Sequence, residues 1–160
     1  MKAQVLKRIT QVESRPLEMR ELPVPEPGAN EVLVKISACG VCHTELDEIE
    51  GRIQPNLPVI PGHEVVGRVE KLGAGATKHK SGDRVGVAWI YSACGKCRFC
   101  SEGNENLCPE FKGTGCHVNG GYTEYMVVLE GFAHPVPERF SDSQAAPLLC
   151  AGAIGFRALR

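Results

Sequence analysis

A chain of 160 residues with a formal net charge of -1 and its Lys and Arg spread evenly has the size of one domain. It carries no electrostatic footprint for nucleic acid or an anionic membrane surface. No apolar run reaches the ~18 to 20 residues of a membrane helix, and the start Met1-Lys2-Ala3-Gln4-Val5 lacks a signal-peptide core, which predicts a cytoplasmic protein.

Along the chain, extended segments are expected at Met1 to Lys7, Leu17 to Leu22, Glu31 to Ala38, Val65 to Leu72, Arg84 to Trp89 and Tyr122 to Leu129. Most are rich in β-branched or aromatic residues, several with period-two alternation. Within Glu31 to Ala38, Val32, Val34, Ile36 and Ala38 share one face, as in a strand with one side on a core. Eleven prolines and eighteen glycines supply the turns. Helical pattern is scarcer: a short piece after Val41, one turn near Arg98, and a stretch from Ser141. Ser141 suits an N-cap, with Gln144 three residues on as in a capping box, and Pro147 is expected to kink or interrupt that helix before the apolar run to Leu159. The fold class is therefore mainly β, a sandwich or barrel with few short helices. Ala151 to Arg160 is an apolar stretch with no closing C-cap glycine, so a further segment is expected to follow it.

Eight cysteines in a chain without a secretory signal favour metal over disulfides. Four of them, Cys94-x2-Cys97-x2-Cys100-x7-Cys108, stand on one short polar stretch. The two-residue gaps let the chain turn around an ion and the longer gap returns it, the pattern of a closed structural zinc site. Gly95, Lys96, Arg98, Ser101, Glu102 and Asn104 leave this lobe, roughly residues 92–110, with almost no core, so metal is expected to provide most of its folding energy. An iron-sulfur cluster is the rival. Its ferredoxin-type run closes with a gap of three residues rather than seven and is wrapped in apolar side chains.

Other candidate ligands are scattered: Cys39 and Cys42-His43-Thr44-Glu45 after the Glu31 to Ala38 strand, His63-Glu64 between Gly62 and Gly67, and Cys150 after Leu148-Leu149. Singly, each has an ordinary explanation as a core or surface residue.

Together, Gly62-His63-Glu64-x2-Gly67-x5-Gly73-x2-Ala76, Cys39-Gly-Val-Cys-His-Thr44, the four-cysteine lobe, Gly120-Gly121-Tyr122 and Leu149-Cys150-Ala151-Gly152 resemble the zinc-containing alcohol dehydrogenases over the whole chain. The resemblance implies a GroES-like β-barrel over residues 1–160 that is the catalytic domain, with the Rossmann nucleotide-binding domain outside it. It implies two zinc ions per chain. Cys94, Cys97, Cys100 and Cys108 would hold the structural one. Cys42, His63 and Cys150 would hold the catalytic one, with Glu64 adjacent and able to enter the coordination sphere and a fourth position open for substrate. Such an ion is a Lewis acid toward an alcohol oxygen, and NAD or NADP would accept the hydride. Thr44 resembles the hydroxyl that begins the proton relay, although it also suits a helix N-cap. His43 resembles the residue that contacts the cofactor pyrophosphate, and Trp89 a wall of the substrate pocket. Alcohols and aldehydes or ketones are the expected substrates, with no nucleic-acid or membrane partner, and the full-length protein is expected to form a homo-oligomer.

Two positions depart from the family. Glu45 stands where Asp is usual, still able to accept from His63, and Asp47 stands where many members have a relay histidine. Gly73-Ala-Gly75 lacks the third glycine and the βαβ context of a dinucleotide fingerprint, and Gly113-Thr-Gly115 fails the same test. Lys78-His79-Lys80 is expected to be a solvated turn, His117 and His134 surface histidines, and Cys39 and Cys116 unliganded thiols. The 160 residues alone are expected to be inactive. The alternative is a stand-alone zinc-binding GroES-like module whose metal is only structural.

Overall fold

The computed structural model describes residues 1–160. Its strands are β1 (Lys2–Leu6), β2 (Leu17–Glu21), β3 (Glu31–Cys39), β4 (Val65–Leu72), β5 (Arg84–Val87), β6 (Ile90–Ser92), β7 (Lys112–Gly113), β8 (Tyr125–Leu129) and β9 (Ala133–Pro135). Four short α-helices join them: α1 (His43–Ile49), α2 (Arg98–Ser101), α3 (Asp142–Ala145) and α4 (Ala151–Ala158). No helix is long and apolar enough to cross a membrane.

Five strands form one antiparallel sheet in the order β8-β3-β4-β5-β9, which curls as a half-barrel. β1 pairs with β2, and β6 with β7, in two small antiparallel sheets. The valine-rich segments form the sheet because β-branched side chains pack well on a pleated surface. Val32, Val34, Val65, Val69, Val85, Val87 and Val128 interlock with Met126 and Ala133 in the largest core cluster. Each fully buried valine contributes about 1.5–3 kcal/mol of apolar transfer, an upper bound on its share of stability.

The expected alternation in β3 holds for Val32, Val34 and Ile36 and fails at its end. A register shift between Ile36 and Ala38 turns Cys39 toward the main cluster, while Ala38 packs on a second one with Val66, Ala145 and Ala146. An extra residue in one strand inverts the facing of everything beyond it. β5 also ends earlier than expected, at Val87. Ala88 and Trp89 leave the ladder, and their carbonyls accept from the Thr114 hydroxyl and the Thr114 N–H, each at 2.8 Å. Tyr122 belongs to a connection ahead of β8, where its carbonyl accepts from Gln4 and its N–H donates to Pro61.

At the C-terminal end the Ser141 hydroxyl accepts from the Gln144 N–H, and the Gln144 side chain accepts from the Ser141 N–H at 3.0 Å, the predicted capping box. Pro147 then tightens Ala146–Leu149 into a 3₁₀ turn, and Cys150 sits at the break before α4, with φ -128 and ψ -81. The expected interruption therefore falls immediately before a candidate ligand.

Candidate metal centres

The four cysteines of the lobe converge, all their sulfurs within 4.8 Å of one another. Cys94 to Cys100 is 3.9 Å and Cys97 to Cys100 is 3.5 Å between sulfurs. A tetrahedron with metal to sulfur bonds of ~2.3 Å has sulfur to sulfur edges of about 3.8 Å, so the cage has zinc dimensions. All eight cysteines of the chain are free thiols. The Cys97 N–H points to Cys94 Sγ and the Cys94 N–H to Cys108 Sγ. Backbone N–H groups of Lys96 and Cys97 hold the Cys94 thiol down at about 7, whereas burial and the Cys97 thiol push Cys100 up to about 12. None of the four apolar clusters of the protein includes a residue from 93 to 111, and the packing of Phe111 on Trp89 and His117 lies at the lobe's exit, so within residues 93–110 the cysteines are the main organising groups.

A second convergence draws on three separate parts of the chain. Cys42, His63, Glu64 and Cys150 each offer a donor atom within 4.8 Å of the others, and the Cys42 and Cys150 sulfurs are 3.8 Å apart across 108 positions of sequence. Cys42 leads into α1, His63 and Glu64 stand just before β4, and Cys150 is the residue after the Pro147 turn. Glu45 ties the first two together. Its Oε2 accepts from the Cys42 N–H at 2.7 Å and its Oε1 lies 2.5 Å from His63 Nδ1, a close contact outside good hydrogen-bond alignment. The longer Glu side chain thus reaches the histidine from the third position of the helix.

His63 is 0% exposed and its Nε2 has no protein partner. A buried ring nitrogen left unpaired beside two thiols is costly unless it meets an ion. Burial and the neighbouring Cys42 thiol push Cys150 up to about 12, and burial also raises the Glu64 carboxyl. Crowded groups that resist ionising together are what a cation relieves, so this donor set fits zinc.

Packing leaves little freedom. Gly62 has φ +101, and a Cβ there would meet the Tyr122 ring at 2.7 Å and Cys39 Sγ at 2.9 Å. A methyl on Gly40 would overlap the Glu64 carboxylate. Trp89 presents its ring to His63 in an edge-to-face contact with centroids 5.2 Å apart. It also lines a cleft of about 410 Å³ with Phe132, Leu149, Cys150, Ile154 and His134.

Thr44 Oγ1 lies 3.7 Å from Cys42 Sγ. Its alternative role as N-cap is excluded, because α1 starts at His43 and Cys42 occupies the cap position. His43 is largely exposed and pairs with Asp47 at 3.3 Å, and Asp47 also binds Arg52. Arg52 holds the Asp47 carboxyl below its ordinary range. Cys39 and Cys116 belong to neither cluster. Two histidines are less solvated than expected. His79 Nε2 faces the Glu130 and Ala133 carbonyls at 3.2 and 3.1 Å, and His117 Nδ1 accepts from the Gly113 N–H at 2.8 Å. Sequence reasoning missed Arg84, Glu48 and the close approach of Gly40; of these only Gly40, a glycine two residues before Cys42, left a signal.

Residues 28–138 match the alcohol dehydrogenase GroES-like domain, and the chain belongs to that family. An alcohol dehydrogenase of Geobacillus stearothermophilus is 44% identical over 162 residues, which cover 100% of this chain and 47% of that protein. Among solved structures, an alcohol dehydrogenase of Pyrobaculum aerophilum with cobalt and zinc bound superposes with a TM-score of 0.86 at 32% identity, over 99% of this chain and 48% of that one. An NAD-dependent alcohol dehydrogenase superposes with a TM-score of 0.86 at 34% identity, over 93% and 43%. The chain spans about half the length of the curated relatives it matches.

Proposed function

We propose that residues 1–160 are the catalytic domain of a zinc-dependent, NAD- or NADP-linked alcohol dehydrogenase that interconverts alcohols with aldehydes or ketones. The observation that carries this is the meeting of Cys42, His63, Glu64 and Cys150 beside an apolar cleft. Cys42, His63 and Cys150 would hold a catalytic zinc with Glu64 in reserve, and Cys94, Cys97, Cys100 and Cys108 a structural one. When bound, the catalytic ion supplies a Lewis acid that draws an alcohol hydroxyl's pKa toward neutrality.

The chain's own groups do the rest. Glu45 lies against Nδ1 of His63 and, with a small adjustment of alignment, would hold the proton there and leave Nε2 free to ligate the metal. Thr44 takes the alcohol proton through its hydroxyl, next to Cys42. Asp47 is a poor next acceptor, being held ionised by Arg52, so the proton leaves to water. Trp89, Phe132 and Leu149 exclude water from the reacting carbon. His43, whose side chain is largely exposed, would meet the cofactor pyrophosphate.

All named strand pairings of the chain are antiparallel, so it has no parallel βαβ unit for a dinucleotide. The nicotinamide site belongs to the remainder of a protein of the relatives' length, which we propose to be a homo-oligomer. Eight unpaired thiols suit the reducing cytoplasm. The test is NAD(P)-linked alcohol oxidation by the full-length protein, by its Cys42→Ser variant and by residues 1–160 alone. Only the first is expected to be active. Undiminished turnover by the variant, or turnover by the isolated 160 residues, would refute the proposal.

A further inference from the structure

We infer that Arg84 is a positioning residue for Cys150, holding the segment that delivers this thiol to the open metal cluster. The inference rests on the metal assignment above. Cys150 is the only donor of that cluster brought in from beyond the sheet, on the chain that leaves β9. Something must fix that chain's distance from β4 and β5, since a shift of one ångström at a ligand is large against metal-bond tolerances.

Arg84, on β5, supplies the polar attachment. Its side chain is 5% exposed, and every bond it makes goes to the incoming segment. Nη1 donates to the Pro137 carbonyl at 2.7 Å and Nη2 to the Phe140 carbonyl at 2.8 Å. Nε and Nη2 reach Asp142 Oδ1 at 2.9 and 2.6 Å. The guanidinium thus closes the loop before α3 and grips that helix's first residue. It does so with a rigid planar fork that lysine cannot reproduce.

Beyond the grip the path to Cys150 is short and stiff. Ala145 and Ala146 are buried against Val66, Pro147 tightens the next turn, and Leu149 lies on Gly86. A Cβ on Gly86 would come within 2.8 Å of Leu149 Cδ2. Arg84 and Gly86, two residues apart on one strand, therefore hold the start and the end of the same eight-residue bridge from Asp142 to Leu149.

The test uses the chain with zinc in the closed lobe and cobalt in the faster-exchanging open cluster. Wild type, Arg84→Met and Arg84→Lys are compared by cobalt absorption and by extraction rate into a chelator. In Arg84→Met we expect a shifted cobalt spectrum and faster extraction, accompanying a loss of cobalt affinity of roughly 10- to 100-fold, the range for removal of groups that support a ligand. Arg84→Lys should fall between, and zinc retention in the lobe should not change. Asp142→Asn, which keeps the Oδ1 acceptor but removes its negative charge at a partly exposed position, should shift both readouts in the same direction by less. An unchanged spectrum and rate in Arg84→Met overturns the assignment, and so does parallel metal loss from both sites, which marks general destabilisation. A wild-type chain that takes up no cobalt at this cluster fails the metal assignment itself, and the role of Arg84 with it.

Discussion

Replacing Gly62 by alanine separates two costs that the geometry around His63 combines. The residue has φ +101, in the region that L side chains rarely adopt, and its Cβ would press on the Tyr122 ring and on Cys39 Sγ. The backbone term is about 1–2 kcal/mol. It is offset by about 0.4–1 kcal/mol because alanine narrows the unfolded ensemble. Crowding in a packed site adds about 1–3 kcal/mol. Gly82, with φ +90 and nothing within 4 Å of its Cβ, carries the backbone terms without the crowding. Gly62→Ala should therefore cost about 1–3 kcal/mol more than Gly82→Ala, a further loss in Tm of about 2–12 °C for a chain of this size. The assay is urea or thermal unfolding of the zinc-loaded wild type and both variants, with m-values compared. Equal losses in the two variants would refute the packing described around His63.

Two further predictions concern groups outside the open cluster. Cys108→Ser should release zinc from the lobe and expose the amides of residues 92–110 to hydrogen exchange within seconds to minutes while β3 and β4 stay protected, since the lobe shares no apolar cluster with the sheet. Simultaneous loss of protection in β3 and β4 would contradict this. Glu48 is 0% exposed with no well-formed hydrogen bond to either carboxyl oxygen; the adjacent Cys116 thiol also lies 3.7 Å from the Gln54 carbonyl. Burial, and then the Glu45 charge, push Glu48 up to about 8 from an ordinary 4.5. Between those values the folded chain binds a proton that the unfolded chain has released, so stability falls as pH rises, by at most about 1.4 kcal/mol per unit. Glu48→Gln should flatten that slope and be more stable than wild type near pH 8; an unchanged slope from pH 5 to 8 in denaturant titrations would sink the idea.

Legibility in the sequence followed distance along the chain. The four-cysteine lobe could be read from spacing and polarity because its donors lie within 15 residues and no apolar cluster of the core reaches them. The strand cores were legible from valine periodicity, and the Ser141 to Pro147 stretch from cap and proline chemistry, since each is a local rule. The open cluster was different. His63 and Cys150 look ordinary alone, and only a family resemblance joined them to Cys42, because no local pattern encodes the packing that brings sulfurs 108 positions apart to 3.8 Å. Glu48 was hidden by its neighbours: Glu45 and Glu48 are three apart on α1 and share its buried face, whereas an acidic helix reads as a solvated one. Arg84 was hidden by prior expectation, since arginine is mostly a surface residue. The reversal at Ala38 and Cys39 depends on a register shift that no alternation rule predicts.

The two centres are tested most directly by metal content after purification in the presence of zinc. Wild type should hold about two zinc ions per chain, and Cys150→Ser and Cys97→Ser about one each, because a lost thiolate empties its own site and leaves the other. The zinc left in Cys150→Ser should resist chelation longer than that left in Cys97→Ser, closed against open. A wild-type chain with a single zinc that Cys150→Ser leaves in place would contradict the account.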